Sequence, residues 1–339
     1  MRHPLPILGA LLLASACRAT APLHPPGSAA LVGCAGELDW IQLDSGLRKR
    51  TYATCASTAE VRVAPTDGLV AILDRDAETV TVFDLLDRVQ RRVIQLPAGS
   101  RPTDVEFLDR RSLVGVVCNG GSHLLEVGLK TGDTLGRVEC SGTPIALATD
   151  VSTGAAWIAL ASPASVLVVD TDAREITHRV ALPATPSDVA ATPSGHELWV
   201  TSATANTLMV VDPCAATVEL IPCAGGPSAL RLSYDGALAL VLCADSGEIA
   251  TFDVAAREEL RRSTPPPCAD GTPALPTKLE LEPPSAHLLV VSPNANRLDE
   301  MDIASGEWVR SLPTAARPTA IGWCRVHPRG QFAGEFSPR

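Results

Sequence analysis

Residues 186–226 read PSDVAATPSGHELWVTSATANTLMVVDPCAATVELIPCAGG. Four short runs rich in Val, Leu, Ala and Thr alternate in this stretch with turns that contain Pro, Gly, Asn and Asp. Such runs, with a turn signal about every 8–12 residues, are typical of β-strands. Because no run has helical apolar spacing over a useful length, the stretch predicts four consecutive strands.

The same pattern recurs about every 42 residues along the chain. Each unit carries a hydrophobic residue followed by Asp, at Asp44, Asp84, Asp170, Asp212, Asp253 and Asp302, with Gly128 in the remaining place. A second series keeps step with the first, at Thr58, Pro102, Pro144, Pro186, Pro227, Pro276 and Pro318. A fixed period of this size indicates a repeat architecture, and four strands per unit predict the blade of a β-propeller. We interpret the repeated Asp as a turn residue that accepts backbone N–H groups.

The two ends of the repeat region predict how the ring closes. The N-terminal unit starts at Ala30 with a sequence that matches the second strand of a unit, and Pro318–Cys324 matches a first strand. Both ends would therefore contribute to one blade, which leaves no unpaired inner edge. We predict an all-β fold over residues 29–330: a seven-bladed β-propeller of four-stranded antiparallel blades, closed by a composite blade from both termini.

Several short motifs resemble the YVTN family of bacterial β-propeller repeats, a WD-repeat-like group. They are Trp199–Ser202, Val210–Asp212 and the turn Thr192–Gly195, with degenerate copies of the turn at Ser233–Gly236 and Ala64–Asp67. The resemblance covers nearly all of the chain after residue 29. It implies an exported or surface-associated binding module, although related propellers include lactonases and redox-enzyme domains. Fold likeness alone does not choose among these functions.

The N-terminus is typical of an export signal. Arg2 and His3 precede an apolar run from Ile7 to Leu13 that is too short to span a bilayer. We predict a signal peptide over residues 1–16, a Pro- and Gly-containing tether over residues 17–28 and a C-terminal tail over residues 331–339. Two alternatives remain for Cys17: a lipidated first residue of the mature protein, or a residue that follows ordinary cleavage. The tether favours lipidation, so we expect a lipoprotein of the bacterial cell envelope, otherwise a periplasmic or extracellular protein.

The charge of the chain limits the class of its partners, and its cysteines raise the question of disulfides. The chain has 28 basic and 38 acidic residues without a basic cluster, which argues against nucleic acid as a partner. Nine of the ten cysteines remain when Cys17 is set aside, and an oxidising compartment would let them form disulfides. The repeat suggests Cys34–Cys55, Cys118–Cys140 and Cys243–Cys268; Cys214–Cys223 is a fourth possible pair and Cys324 is left over. Buried free thiols are the equal alternative.

Candidate binding residues lie two positions after the repeated Pro. Glu60, Asp104, Asp188 and Lys278 occupy this place and would open the innermost strands, so we expect them to ring one mouth of the central channel. Such a ring could orient a polar ligand or hold a cation. A long connection at residues 263–271, with Asp270, lies on the same face, and loops of this kind often carry binding specificity.

No catalytic residue is predicted. The histidines are scattered, no metal-ligand spacing is present, and neither CxxC, HExxH nor a nucleophile elbow occurs. The leading hypothesis is a non-catalytic binding or scaffold protein, monomeric and without a cofactor. It would present the channel mouth to a protein or a small polar ligand and touch the membrane only through a lipid anchor at Cys17. The alternative is a lactonase-like hydrolase with a divalent metal held by Glu60, Asp104 and Asp188.

Overall fold

A computed structural model of the protein describes residues 27–325, except residues 55–56, 67, 110–111, 151–152 and 283–285. The described residues form 28 strands in seven four-stranded antiparallel sheets, which confirms the predicted seven-bladed β-propeller. The predicted signal peptide, most of the tether including Cys17, and the C-terminal tail lie outside the described residues. Within the described part, no helix has the length and apolar character needed to cross a bilayer.

The first half of the chain supplies three strands of the composite blade and then three complete blades. The composite-blade strands are β1 (Ser28–Cys34), β2 (Glu37–Gln42) and β3 (Leu47–Ala53). The first complete blade contains β4 (Thr58–Val63), β5 (Leu69–Asp74), β6 (Thr79–Asp84) and β7 (Val89–Gln95). The second contains β8 (Pro102–Phe107), β9 (Leu113–Cys118), β10 (His123–Gly128) and β11 (Thr134–Glu139), with a 3-10 turn at Asn119–Gly121. The third contains β12 (Pro144–Asp150), β13 (Ala155–Ala161), β14 (Ala164–Asp170) and β15 (Glu175–Ala181).

The second half of the chain supplies three more blades and the strand that closes the ring. The fourth blade contains β16 (Asp188–Ala191), β17 (Leu198–Ser202), β18 (Thr207–Asp212) and β19 (Thr217–Pro222). The fifth contains β20 (Pro227–Leu232), β21 (Leu238–Cys243), β22 (Glu248–Asp253) and β23 (Glu258–Ser263). The sixth contains β24 (Lys278–Glu282), β25 (His287–Ser292), β26 (Arg297–Asp302) and β27 (Trp308–Pro313). The last strand is β28 (Ala320–Arg325).

The composite blade closes as predicted, in the order β28-β1-β2-β3. β28 pairs antiparallel with β1 over six residue pairs, from Ser28 opposite Arg325 to Gly33 opposite Ala320. Because β28 starts at the channel mouth, as the other innermost strands do, β1 starts at the opposite face. The N-terminal segment therefore enters the propeller on the face away from the mouth.

The hydrophobic core lies between blades, because each sheet buries side chains on both faces. Seven clusters of buried apolar residues are present in the described structure, one at each contact between neighbouring blades. The cluster that closes the ring joins Val32 and Ile321 of the composite blade to Leu289 and Leu298 of the sixth. The outermost strands face solvent; five of the first six residues of β7 are exposed, for example.

The repeated Asp caps the turn that follows the third strand of a blade, as predicted. Asp84 Oδ1 accepts the N–H groups of Leu86 and Asp87 at 2.9 and 3.1 Å. The same kind of contact occurs at Asp170, Asp212, Asp253 and Asp302. An Asp in this position stabilises a turn through its own backbone, so the repeat series is structural.

The predicted disulfides are not formed. The eight described cysteines are free thiols: Cys34, Cys118, Cys140, Cys214, Cys223, Cys243, Cys268 and Cys324; Cys55 lies outside the described residues. Geometry explains the correction, because Cys118 packs between the first and second blades, whereas Cys140 packs between the second and third. Burial raises the pKa of both thiols to about 12. The sulfurs that do approach one another are those of Cys223 and Cys243, 4.0 Å apart between the fourth and fifth blades.

Candidate functional site

The channel mouth brings together four of the residues predicted from the repeat. Glu60, Asp104, Asp188 and Lys278 border one cavity of about 160 Å³ at the start of the innermost strands β4, β8, β16 and β24. In β4 and β8 the pairing register shifts just before the carboxylate, between Thr58 and Glu60 and between Pro102 and Asp104. A bulge of this kind re-aims the side chains that follow it.

A second level of charge lies deeper in the channel, and the repeat series did not predict it. Side chains two positions further along an innermost strand point to the same side, and at that level β4, β8, β20 and β24 carry Arg62, Glu106, Arg231 and Glu280. A cavity of about 180 Å³ is lined by three of them, Arg62, Glu106 and Arg231. The sequence contained a signal for this second level, because side chains two residues apart in a strand point to the same side.

Arg62 is the centre of an ion-pair network. Its guanidinium lies 3.0 Å from Glu60, 3.5 Å from Asp104 and 2.5 Å from Glu106, and its side chain is only 11% exposed. Burial alone would lower the pKa of this group, but Glu106, Glu60 and Asp104 raise it well above its ordinary value. The guanidinium is therefore a permanent charge in the middle of the channel.

Two further cations face the mouth. Lys278 Nζ donates to Glu60 Oε1, and Arg75 lies 3.6 Å from the same carboxylate. Burial by itself would raise the pKa of Glu60, but Lys278 and Arg62 lower it to about 2. The Lys278 and Arg75 side chains are 27% and 48% exposed, so they are the charged groups of this network that an entering molecule meets first.

Two carboxyl groups of the channel titrate near neutral pH. Burial, together with the charge of Glu60, raises the pKa of Asp104 to about 6 despite nearby Arg62. Burial likewise raises the pKa of Glu106 to about 7. The channel consequently changes its charge within the pH range of ordinary growth media.

Asp104 and Asp188 also connect neighbouring blades. Asp104 Oδ2 accepts the N–H of Leu147 in the third blade at 3.0 Å, and Asp188 Oδ2 accepts the N–H of Leu230 in the fifth blade at 3.0 Å. In both cases Oδ1 accepts the N–H of the next residue. Each of the two side chains thus holds the start of a neighbouring innermost strand, a structural task that does not depend on a ligand.

These contacts weigh against a metal held by Glu60, Asp104 and Asp188. Glu60 faces Lys278 and Arg62, while the second oxygens of Asp104 and Asp188 accept backbone N–H groups. A divalent cation would have to displace fixed positive charges and leave buried N–H groups without acceptors, which is costly. The hydrolase alternative stays a prediction, and this arrangement does not favour it.

Asp270 lies apart from the ring. Residues 264–277 connect β23 to β24 on the mouth face, and Arg297 donates to the carbonyl oxygens of Pro266 and Pro267 from the sixth blade. Asp270 is exposed and accepts from the N–H and hydroxyl of Thr272 at 3.0 and 2.7 Å. It lines neither channel cavity, so its local contacts explain its presence in a turn.

One cluster of side chains with metal-ligating groups was not indicated by any motif in the sequence. Glu282, His287 and Glu300 are buried, and one ligand atom from each lies within 4.8 Å of the others. They come from three strands of the sixth blade, so their spacing along the chain shows no motif. His287 begins β25 opposite the end of β24 and so lies on the face away from the mouth.

Comparison with known proteins supports the fold but assigns neither a family nor a function. No protein-family model and no curated protein matches the chain. Among solved structures, the chain is similar to a chain of hydrazine synthase from Kuenenia stuttgartiensis, with a TM-score of 0.68 and 13% sequence identity. The match covers 78% of this chain and 88% of that chain. At this identity the likeness shows a shared propeller architecture alone.

Proposed function

We propose that the protein is an exported, non-catalytic binding or scaffold protein of the YVTN type that presents its channel mouth to a protein or a small polar ligand. The β-propeller fold itself supports a scaffold role. The observation that carries the proposal is the mouth cavity, about 160 Å³ and lined by charged side chains of both signs. Pockets with a few fixed polar groups on a rigid frame are typical binding sites.

The charges of the mouth indicate the chemistry of the ligand. Lys278 and Arg75 share one carboxylate, Glu60, so the two cations together carry more positive charge than their partner neutralises. A carboxylate or another anionic group that enters the mouth meets both cations, while Asp104 and Asp188 face a cationic or hydrogen-bond-donating part. We therefore expect a small polar ligand, or a protein side chain, that carries an acidic group.

Export and a lipid anchor at Cys17 are part of the proposal. β1 begins at Ser28 on the face away from the mouth, where Trp323 Nε1 approaches the Ser28 hydroxyl at 3.3 Å. Residues 17–27 would thus connect a membrane-attached Cys17 to the far face of the ring. With that geometry the mouth points away from the membrane, which is the orientation a capture surface needs.

The binding experiment targets the exposed cations and leaves the blade contacts of Asp104 and Asp188 intact. Wild-type protein is compared with the double variant Lys278→Met, Arg75→Met and with the control Arg137→Met, whose side chain is 55% exposed on the outer strand β11. The readouts are thermal shifts against a panel of small carboxylates and amino acids, and capture from a cell-envelope extract. Binding that is lost only in the double variant supports the proposal. Equal binding by all three proteins overturns the role of the mouth.

The anchor is tested separately. Full-length protein and Cys17→Ser are expressed in a bacterial host, and each is followed by membrane fractionation and metabolic labelling with a fatty acid. We expect the wild type to carry the label and to sediment with membranes, and the variant to be soluble and unlabelled. An unlabelled wild-type protein would refute the lipid anchor without affecting the binding proposal.

A further inference from the structure

The sixth blade contains a compact group of metal-ligating side chains on the face of the sheet that packs against the composite blade. Glu282 ends β24, His287 begins β25 and Glu300 lies within β26. His287 lies directly opposite Glu282 in the pair of strands β24 and β25. Glu300 in β26 lies opposite Leu289, which is two residues after His287 in β25. The pleat places these three side chains on one side of the sheet.

We propose that Glu282, His287 and Glu300 form a binding site for a divalent transition metal, with Zn²⁺ as the best fit. The three side chains offer one imidazole nitrogen and two carboxylate oxygens, a donor set that Zn²⁺ accepts. His287 Nδ1 lies 3.1 Å from Glu300 Oε1. Two ligands of one tetrahedral Zn²⁺ with bonds near 2.0–2.1 Å lie about 3.4 Å apart, so this pair already has a suitable separation.

The burial of two carboxylates favours the binding of a cation at this site. The Glu282 residue and the Glu300 side chain are 0% exposed, and the His287 side chain is 6% exposed. Two buried carboxylates are expensive unless cations neutralise them. Arg310 supplies one positive charge to Glu300, and a divalent cation bound between the two carboxylates would add to their neutralisation.

The neighbours of the three side chains resemble the outer shell of a metal site. Arg310 Nε donates to Glu300 Oε2 at 2.7 Å, so Oε1 faces His287. The other ring nitrogen of His287, Nε2, lies 4.0 Å from Asp302 Oδ2. A cation that donates to a ligating carboxylate, as Arg310 does to Glu300, orients that ligand in many metal sites.

The position predicts a structural role for the metal. The three ligands would join the three inner strands of the sixth blade, and Arg310 also donates to the carbonyl oxygen of Leu43 in the composite blade. The site therefore lies beside the contact through which the ring closes. It is on the face away from the channel mouth and is independent of the proposed binding function.

The first test measures metal content and stability. Full-chain protein, purified without a histidine tag from zinc-supplemented cells, is dialysed and analysed by mass spectrometry for metals. We expect about one Zn²⁺ per chain, a melting temperature that falls on chelation, and recovery when Zn²⁺ is returned. Glu282→Gln and His287→Ala should lose the metal and the response to chelator, whereas His196→Ala, an exposed histidine in the fourth blade, should keep both.

Two results would overturn the site. One is wild-type protein that contains no metal after supplementation and melts at the same temperature with Zn²⁺ and with chelator. The other is a metal that is retained equally by Glu282→Gln and by His287→Ala, because it must then lie elsewhere.

A second measurement needs no variant, in case the substitutions prevent folding. The wild-type protein is loaded with Co²⁺, whose visible spectrum reports its ligands. We expect ligand-field bands of a site with nitrogen and oxygen donors and no thiolate charge-transfer band, because no cysteine belongs to the cluster. A thiolate band, or no cobalt spectrum at all, contradicts the proposal.

Discussion

The closing strand of the ring carries a sharp prediction. Deleting residues 318–339 removes β28 and with it the innermost strand of the composite blade. Ile321 is 2% exposed and packs against Val32 and Leu289. Loss of a side chain buried in this way costs about 2–5 kcal/mol when it is truncated to alanine.

Backbone pairing adds to this cost. β28 pairs with β1 over six residue pairs, and each net hydrogen bond in such a ladder contributes about 0.5–1.5 kcal/mol. The deletion also leaves β1 as an unpaired inner edge, and edges of this kind favour aggregation. The combined loss is comparable with the whole free energy of unfolding of a typical domain, about 5–15 kcal/mol.

The assay compares two truncated proteins, so that any effect of the tail cancels. The variant that lacks residues 327–339 sets the reference, and the variant that lacks residues 318–339 is measured against it by circular dichroism melts and urea denaturation. We expect the longer deletion to abolish the cooperative transition. Ile321→Ala in the full chain should keep the transition but lower the free energy of unfolding by about 2–5 kcal/mol.

One result would refute ring closure through β28. It is a protein lacking residues 318–339 that melts cooperatively at the temperature of the reference. An Ile321→Ala variant with unchanged stability would further show that this side chain is not buried between the sixth and composite blades.

Three further predictions concern the channel. Arg62→Met removes the cation that Glu106 and Asp104 share and should lower the free energy of unfolding by about 3–5 kcal/mol, measured by urea denaturation at pH 8; an unchanged midpoint would contradict the ion-pair network. Burial raises the pKa of Glu106 from 4.5 to about 7, so the folded state keeps a proton that the unfolded chain has released, and stability falls as the pH rises through this window. Glu106→Gln should remove the part of this loss of stability that is due to Glu106, on the order of 3 kcal/mol. Urea titrations between about pH 4.5 and 8 measure it, and a pH profile parallel to that of the wild type would contradict the raised pKa of Glu106. Asp188→Ala leaves the N–H of Leu230 without its acceptor and should cost about 1–3 kcal/mol; hydrogen exchange at Leu230 that is no faster than in the wild type would show that the contact between the blades does not form.

The repeat made the fold predictable from the chain itself. The Asp and Pro series recur in step, and each unit has the same four-strand pattern, so one unit predicts the others. The unequal ends, Ala30 as a second strand and Pro318 before a first strand, were enough to predict the composite blade. Local turn chemistry and hydrophobic patterning act over a few residues, which is why they can be recognised without the tertiary structure.

The ring of charged residues was only partly predictable. Glu60, Asp104, Asp188 and Lys278 follow from their place in the repeat, but their partners depend on which side chains meet across the channel. Lys278 contacts Glu60 although 218 residues separate them in the chain. Asp104 and Asp188 also proved to hold neighbouring blades, a role that depends on the distance between two innermost strands.

The repeat, the strands and the shared blade can be predicted from the amino-acid pattern, because those features depend on neighbouring residues and a constant period. Three other features require the folded ring: which cysteines approach each other, which cations neutralise Glu60, and that Glu282, His287 and Glu300 lie together. Each of these depends on the face of a sheet to which a side chain points and on what the facing strand or blade places opposite it. That information is spread over distant parts of the chain and becomes specific only when the ring is closed.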